Sequence, residues 1–356
     1  MLKFHDLEVA GCTSAGEEAL CLQIVVPPEL REAFSGAAGQ HVVLKADIDG
    51  EEVRRSYSLV SSPGEFPLRI GVRLHADGRM SSYLSRLTPG ARLSVMPPLG
   101  SFASQCQGPA KRRYAAFAAG CGITPVLALV RAKLAEEPGC RWTVFYGNRS
   151  AGRAMFLDEL LGLKDRYLGR LALHFVMSRE PSEAEMFNGR IDAAKVEASA
   201  GKLFDPAATD EFFLCGPGDM IAAVGAALGK LGVAPDRIHS EHFTVESVAA
   251  ADRDGEPPPR TGGAAEIIVI MDGRRRSFTM SPDDESILDA ALDSGIDLPY
   301  SCCAGVCSTC RTRVVEGAAE MAENFSLEDW EIENGYVLAC QSRPTSSELV
   351  LDYDDV

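Results

Sequence analysis

Four cysteines in the last part of the chain have the residue type and spacing of iron–sulfur ligands. Cys302, Cys307 and Cys310 form a C-x4-C-x2-C array, and Cys340 follows further along. Thiolates at this spacing hold two irons and two sulfides. The residues between them are mostly small, so backbone amides can approach the sulfurs. The sequence therefore predicts a 2Fe–2S cluster with these four cysteines as its ligands.

Two other uses of these cysteines are less favoured. Zinc sites prefer two CxxC-like knuckles, and the four-residue spacing departs from that pattern. Disulfides are disfavoured because the chain has 11 cysteines, an odd number, and because its first residues lack the basic start of an export signal. Cys303 lies inside the array but out of its register, and we expect it to be a bystander thiol.

Two motifs in the first hundred residues could bind a flavin. In Arg55-Ser56-Tyr57-Ser58, the tyrosine ring can lie against the flat flavin, the arginine can neutralise a phosphate and the Ser58 hydroxyl can reach the redox nitrogen of the ring. In Gly78–Leu84, a glycine turn opens a predicted helix, whose first amides suit a pyrophosphate. Taken singly, the first could be surface decoration and the second a plain helix start. The candidate flavin-binding residues are Arg55, Tyr57, Ser58, Val72, Gly78, Met80, Ser81 and Ser82.

Two glycine-containing motifs, each at the end of an apolar run, could bind a nicotinamide nucleotide. The first is Gly120-Cys121-Gly122-Ile123-Thr124-Pro125, where we expect Thr124 as a helix N-cap and Pro125 as the first helical residue. The second is Cys215-Gly216-Pro217. A plain glycine turn and a buried core thiol are the alternatives. The occurrence of both motifs on one predicted sheet favours a nucleotide site. Its candidate contacts are Gly120, Gly122, Thr124, Cys215, Gly216 and Pro217.

Three further residues indicate which nicotinamide nucleotide is used. Arg149 follows the second strand of the predicted sheet, where an NAD site more often has an acidic residue for the ribose hydroxyls. Ser178 and Arg179 follow the third strand. These groups suit a 2′-phosphate, and the sequence therefore predicts NADPH. The alternative is that both arginines are solvated surface charges.

The elements that position these motifs follow two patterns. From Val42 to Leu99, short alternating runs separated by glycine turns predict a small antiparallel β-barrel. From Arg113 onward, buried apolar runs alternate with helical segments, which predicts a five-stranded parallel sheet with a nucleotide at its carboxyl edge. The five runs are Tyr114–Ala118, Trp142–Tyr146, Leu171–Met177, Glu211–Cys215 and Arg237–Phe243.

The composition changes after the last of these runs. Residues rich in alanine, proline and charge predict a linker over 246–263. A hairpin about Asp272-Gly273 and a short helix over Glu285–Ser294 then precede the cysteine array. We therefore predict a flavin-binding domain at 1–108, a nucleotide-binding domain at 109–245 and a cluster domain at 264–356.

Length and charge limit the classes of function. With 356 residues the chain is long enough for two or three domains. The net charge is −16, and residues 264–356 carry 19 acidic and 6 basic side chains. Such a surface excludes nucleic acid as an expected partner and favours a protein with a basic docking patch. A solvated acidic face that serves solubility is the alternative. No apolar run has the length of a membrane span, and we expect a cytoplasmic protein.

The paired flavin and nucleotide motifs resemble those of the ferredoxin–NADP reductase superfamily. Over nearly its whole length the chain also resembles the reductase subunits of phenylacetyl-CoA epoxidases. This second resemblance is carried by Phe4-His5-Asp6-Leu7, Gly39–Ser58, Tyr146-Gly147-Asn148-Arg149, Asp283–Leu292 and Gly335–Asp354. It implies FAD in the barrel, NADPH on the parallel sheet and a C-terminal plant-type ferredoxin domain of β-grasp fold. It also implies Ser58, Cys215 and Glu241 as catalytic residues, with Phe243 covering the flavin or, alternatively, serving as core.

These expectations describe an NAD(P)H-dependent oxidoreductase. The resemblance implies that it passes electrons from NADPH, through FAD and a 2Fe–2S cluster, to a multisubunit di-iron oxygenase that epoxidises the ring of phenylacetyl-CoA in phenylacetate catabolism. No oxygen-activating centre is apparent in the sequence, so the oxidative chemistry is expected on a partner. The reductase component of a ketosteroid or aromatic-ring hydroxylase is an alternative with the same chemistry. A redox sensor or carrier without turnover is an alternative of another class.

Overall fold

The structure is a computed structural model, which describes residues 3–104, 111–243 and 264–355. The chain separates into two compact units, and one of them is Phe4–Phe243. The other holds the described residues from 264 onward. The linker predicted over 246–263 lies outside the described residues. None of the described helices is long and apolar enough to cross a membrane.

The first part of Phe4–Phe243 is a six-stranded antiparallel barrel. The strand order is β4-β3-β6-β1-β2-β5, and an antiparallel bridge between Leu59 and Ile70 joins the two edge strands. Alternate residues point inward, as the period-2 pattern predicts, and form one apolar core. Its strands and helix are β1 His5–Ser14, β2 Ala19–Val25, β3 His41–Ile48, β4 Glu51–Ser58, β5 Leu68–Arg73, α1 Arg79–Leu84 and β6 Arg92–Val95. The barrel thus includes two strands that precede the predicted range.

The second part is a five-stranded parallel sheet of order β11-β10-β7-β8-β9, with helices on both faces, and this confirms the predicted architecture. Long apolar runs form its strands because both faces are covered. The elements are β7 Arg113–Ala119, α2 Ile123–Glu136, β8 Arg141–Asn148, α3 Leu157–Arg166, β9 Leu171–Met177, α4 Ala193–Ser199, β10 Glu211–Gly216, α5 Gly218–Lys230 and β11 Ile238–His242.

The prediction of Thr124 as a helix N-cap was wrong. A single turn of 3-10 helix at Gly120–Gly122 runs directly into α2, so the helix begins at Ile123. Thr124 is already inside the helix, and its hydroxyl donates to the carbonyl of Cys121 at 2.9 Å. The local pattern missed this because the glycines themselves continue the helical turn.

The barrel packs closely on the parallel-sheet part. At Gly71 of β5, an added Cβ would lie 2.6 Å from Cγ2 of Thr124, so only glycine fits there. A partly buried ion-pair cluster adds to this junction. Glu159 of α3 accepts from Arg69 of β5 at 2.7 Å and from Arg131 of α2 at 2.8 Å. The two parts therefore hold each other's site residues in place.

The C-terminal unit is built on a mixed five-stranded sheet of order β13-β12-β18-β14-β16, with a helix packed on its core. Its elements are β12 Ala265–Met271, β13 Arg274–Met280, α6 Ile287–Asp293, β14 Arg311–Glu316, β15 Ala319–Met321, α7 Asp329–Glu333, β16 Tyr336–Leu338, β17 Ser342–Pro344 and β18 Glu348–Asp352. The hairpin and the helix were predicted. The helix is shorter than expected because Ser286 caps it, accepting from the amide of Asp289.

Candidate active site and cluster loop

The carboxyl edge of the parallel sheet brings together the residues predicted to bind a nicotinamide nucleotide. Cys215 at the end of β10 lies beside Ala118 of β7 on one side and Glu241 of β11 on the other. This parallel register places the Cys215 Sγ 4.0 Å from Oε2 of Glu241. Burial and then the charge of Glu241 raise the pKa of Cys215 well above its usual value, so the thiol stays protonated.

The barrel adds a third candidate to this pair. Ser58 is the last residue of β4, and its buried hydroxyl donates to Oε2 of Glu241 at 3.3 Å. The three residues predicted as catalytic therefore meet where the barrel faces the sheet. Ser58 and Glu241 are far apart in the sequence, and only the packing of the two parts joins them.

One residue of this site, His41, was not predicted from the sequence. It is the first residue of β3, pairs with Ser58 across the ladder, and places its Nδ1 3.9 Å from Oε1 of Glu241. Burial lowers the pKa of His41 to about 4, so the imidazole is neutral at neutral pH and its contact with Glu241 is polar rather than ionic. A single histidine at the start of an apolar strand carries no local signal for such a role.

The first glycine motif is fixed by two close contacts. An added Cβ at Gly122 would lie 2.1 Å from the carbonyl oxygen of Cys215, so the two glycine-containing motifs touch through their backbones. The buried hydroxyl of Tyr146 donates to the carbonyl of Gly120 at 3.0 Å and accepts from the amide of Met155 at 2.9 Å. Tyr146 is thus a positioning residue that was not predicted as one from the sequence.

The residues predicted to select NADPH lie together at the same edge. The amide of Ser178 donates to the carbonyl of Asn148, and that of Arg179 donates to the carbonyl of Arg149, at 2.9 and 2.8 Å. Arg149 and Arg179 are exposed, and Ser178 is exposed too. The side chains of these residues are therefore accessible to solvent at neighbouring strand ends. Gly216 and Pro217 follow β10 at this edge, and the partly buried Phe243 packs on the adjoining core.

The candidate flavin residues lie along β4 and at the start of α1. Arg55 is exposed, whereas Tyr57 is half-buried, and burial raises the pKa of Tyr57 against the lowering effect of Arg55. Gly78 is the N-cap of α1, and the Ser81 hydroxyl donates to its carbonyl at 3.0 Å. Val72, Met80 and Ser81 are buried in the barrel, and Ser82 is half-buried. Because the side chains of Val72 and Met80 point into the barrel core, these two residues would contact a flavin through their backbones.

The cysteine loop bends back on itself through left-handed residues. Cys303, Gly305 and Ser308 have φ values of 52°, 72° and 49°. At Gly305 an added Cβ would lie 3.1 Å from the carbonyl of Glu323. The loop thereby turns the amide of Ala304 towards Sγ of Cys302, at 3.4 Å. Backbone donors to sulfur are what a cluster-binding loop requires, and the small residues of the sequence had predicted them.

Comparison with known proteins gives three family matches in the order of these sites. An oxidoreductase FAD-binding domain matches residues 23–103, an oxidoreductase NAD-binding domain residues 117–225, and a 2Fe-2S iron-sulfur cluster binding domain residues 269–345. One subunit of the 1,2-phenylacetyl-CoA epoxidase of Escherichia coli is 40% identical over 99% of both chains. The chain belongs to the ferredoxin–NADP reductase superfamily with a C-terminal 2Fe–2S domain. It is an oxidoreductase.

Two further comparisons place this reductase among relatives of the same domain order. The ferredoxin reductase component of a 3-ketosteroid-9-alpha-monooxygenase from Rhodococcus rhodochrous is 31% identical over 98% of this chain and 96% of the relative. The solved structure of phthalate dioxygenase reductase is 24% identical, with a TM-score of 0.56 over 98% of both chains. The second likeness shows the fold.

The thiols of the reductase's cysteine loop suit a two-iron cluster better than a single zinc ion. Cys302 hydrogen-bonds Cys307, and Cys340 hydrogen-bonds Cys310, with a further contact between Cys302 and Cys340. A cluster with two thiolates on each iron needs paired sulfurs, whereas zinc needs four sulfurs around one point.

Proposed function

We propose that this reductase takes electrons from NADPH and delivers them, through FAD and a 2Fe–2S cluster, to a di-iron oxygenase of the phenylacetyl-CoA epoxidase kind. The meeting of Ser58, Cys215 and Glu241 between the barrel and the sheet carries the enzymatic part. The partner is supported by the 40% identity to the Escherichia coli subunit, against 31% to the ketosteroid monooxygenase component. A bound FAD would supply the chemistry that joins a two-electron hydride donor to a one-electron cluster, with one proton released for each hydride accepted.

In this proposal the barrel residues bind and orient the flavin. Tyr57 would offer a flat, half-buried ring to the flavin, and the exposed Arg55 would offer its charge to a phosphate. The backbone of Gly78–Ser82 would hold the pyrophosphate, and Val72 would complete the site through its backbone. Ser58 would donate its hydroxyl to the redox nitrogen of the ring. The partly buried Phe243 would cover the ring and exclude water from it.

The catalytic residues hold a proton and position the nicotinamide. Oε2 of Glu241 accepts a hydrogen bond from the Ser58 hydroxyl. This hydrogen bond gives a path for a proton between the hydroxyl and the carboxylate. Because its pKa is raised, Cys215 acts as a neutral contact beside the nicotinamide and not as a nucleophile. His41 orients Glu241 from the other carboxylate oxygen. Gly120, Gly122, Thr124, Gly216 and Pro217 form the backbone floor of this site.

The preference for NADPH is proposed from Arg149, Ser178 and Arg179. Their neighbouring exposed positions suit the dianionic 2′-phosphate. Replacing both arginines by alanine should raise KM for NADPH about tenfold or more and leave KM for NADH nearly unchanged. Equal kcat/KM for the two coenzymes in the unmodified enzyme would refute the preference while leaving the electron-transfer function intact.

The four cysteines proposed as cluster ligands all lie in the third predicted domain, 264–356. The matched family segments fall inside 1–108, 109–245 and 264–356, which supports these limits. Within the last domain, Cys302, Cys307, Cys310 and Cys340 are proposed as ligands. Cys303 is exposed and is not a ligand in this scheme.

The function is tested by separating its two halves. Cys307→Ser should abolish NADPH-dependent reduction of cytochrome c but leave reduction of ferricyanide, which the flavin site supplies. Cys303→Ser is the matched control from the same loop and should keep both activities. Loss of both activities in Cys307→Ser would contradict this division of labour. Rapid turnover in the unmodified protein would exclude the sensor or carrier role.

The partner is tested by reconstitution. The purified reductase is mixed with the oxygenase subunits of a phenylacetyl-CoA epoxidase, and NADPH use is followed with and without phenylacetyl-CoA. We expect substrate-dependent NADPH consumption. Normal cytochrome c reduction without any such stimulation would overturn the partner and favour the ketosteroid or aromatic-ring class.

A further inference from the structure

The C-terminal unit contains a buried hydroxyl, that of Tyr353, and a bound cluster would explain why it is buried. Tyr353 follows β18, and its side chain is 4% exposed. Within the described residues its hydroxyl oxygen has no hydrogen-bond partner. A buried polar group without a partner is unfavourable, and native proteins rarely keep one without a reason. A phenylalanine would fill the same space without that cost.

The backbone determines where this ring points. The amide of Tyr353 donates to the carbonyl of Ile270 at 2.8 Å, which continues the pairing of β18 with β12. Asp352 lies opposite Arg313 of β14, and its carbonyl accepts from the Thr312 hydroxyl at 3.0 Å. Tyr353 therefore comes opposite the first residues of β14, directly after the third cysteine of the array.

The ring enters the core that holds two of the proposed ligands. Because side chains alternate along a strand, Tyr353 shares the inward face with Leu349 and Leu351. Cys310 and Cys340 belong to the same core and are 3% and 8% exposed. In an antiparallel pair, an aromatic side chain also reaches the residues that are diagonal to it on the neighbouring strand. Tyr353 thus shares this core with both cysteines, and Cys310 is diagonal to it across the pairing of β18 with β14.

The chemistry of the hydroxyl agrees with this placement. A phenol carries its proton at neutral pH and acts as a hydrogen-bond donor towards an anionic neighbour. A neutral thiol is a weak acceptor, but a thiolate that holds iron is a strong one.

The other two proposed ligands have donors of their own in the loop. The amide of Ala304 donates to Cys302, and the backbone amide of Thr309 donates to Cys307. At the second pair, the backbone amide of Gly305 donates to Cys340, and Gln341 donates to the same sulfur at 3.8 Å, which is a long contact. Neither of these donors serves Cys310. Tyr353 is positioned to supply a donor to this pair from the protein interior.

We propose that the Tyr353 hydroxyl donates a hydrogen bond to the thiolate sulfurs of the Cys310–Cys340 pair when the cluster is bound, and thereby raises the reduction potential of the cluster. The inference rests on the proposed assignment of these cysteines as ligands. A donor to a ligand sulfur stabilises the reduced cluster, which carries one more negative charge, more than the oxidised one. Tyr353 is accordingly a positioning and tuning residue, not a catalytic one.

The test is Tyr353→Phe in the full-length, cluster-loaded protein, with the cluster potential read by an EPR-monitored redox titration. The variant removes one oxygen atom and keeps the ring. We expect the equilibrium constant for one-electron reduction of the cluster to fall about tenfold, which is a shift of about 59 mV to lower potential. Tyr336→Phe is the matched control on β16 and should leave the potential unchanged.

A second measurement separates this role from simple packing. In the full chain prepared without iron, no described residue accepts from the hydroxyl, so Tyr353→Phe should be as stable to urea as the unmodified chain or more stable. A clear loss of stability in the iron-free variant would mean that the hydroxyl serves the fold, and would overturn the proposal. An unchanged potential in a variant with a normal cluster would overturn it too. If the unmodified chain binds no cluster, the ligand assignment itself fails.

Discussion

His41 should make the unit Phe4–Phe243 lose stability in mild acid. Its imidazole is 3% exposed, and burial lowers its pKa from 6.5 to about 4 despite Glu241 nearby. Between these two values the unfolded chain binds a proton at His41 that the folded chain does not. Stability therefore rises with pH in this window and falls as the pH is lowered through it.

The magnitude follows from the two pKa values. One pH unit of difference in proton affinity corresponds to about 1.4 kcal/mol. At pH 5 the imidazole is mostly charged in the unfolded chain and mostly neutral in the folded one. The free energy of unfolding is therefore about 2 kcal/mol lower at pH 5 than at pH 8. The loss approaches about 3 kcal/mol once the pH falls below 4. Such a loss is a large part of the stability of a typical domain.

Urea unfolding at pH 8 and pH 5 measures this effect, with tryptophan fluorescence as the signal. The chain has two tryptophans, and Trp142 is buried in this unit, so a Trp330→Phe background isolates it. In that background, His41→Phe should lose about 2 kcal/mol less between the two pH values than the parent. His75→Phe, at a histidine outside the buried core, should behave as the parent does. Equal losses in the parent and in His41→Phe would refute the reasoning.

Three other substitutions test the positioning of the site. Gly122→Ala puts a Cβ 2.1 Å from the Cys215 carbonyl and should lower kcat/KM for NADPH-dependent ferricyanide reduction about 100-fold, whereas Gly162→Ala, in open space, should not. Glu159→Gln weakens the ion-pair cluster between barrel and sheet and should cost about 1–3 kcal/mol in urea unfolding; an unchanged midpoint would argue against a role for the cluster in joining the two parts. Tyr146→Phe leaves the buried amide of Met155 without its acceptor and should lower the free energy of unfolding by a similar amount. It also removes the hydrogen bond to the carbonyl of Gly120, so kcat/KM should fall.

Much of the fold could be predicted because local patterns determine it. Leu171–Met177 was predicted with the bounds that the structure has, and the hairpin about Asp272-Gly273 was predicted at its turn, since clear turn residues mark both. The parallel sheet followed from the alternation of buried runs and helices. The sequence also identifies Gly122 as part of a glycine motif at the end of a strand. What they touch could not be predicted, because the contact with Cys215 joins two distant strand ends.

Local reasoning failed where a neighbouring element decides the outcome. Thr124 has the residue type of an N-cap, but the 3-10 turn before it extends the helix and removes that role. The strands His5–Ser14 and Ala19–Val25 were not predicted. The first is paired on both sides within the barrel, but only two of its residues are buried, so its apolar signal is weak.

Glu241 shows why an active site of this kind is visible in sequence only in fragments. Its carboxylate receives Ser58 and Cys215 on one oxygen and faces His41 with the other. Ser58 and His41 come from the barrel, whereas Cys215 and Glu241 come from adjacent strands of the sheet. The proposed proton path between Ser58 and Glu241 therefore depends on the packing of the barrel on the sheet. A change at that junction should lower the activity even where the barrel and the sheet each stay folded. Substitutions at Gly71 and Glu159, which lie at this junction, should therefore lower the activity that is proposed for Ser58, Cys215 and Glu241.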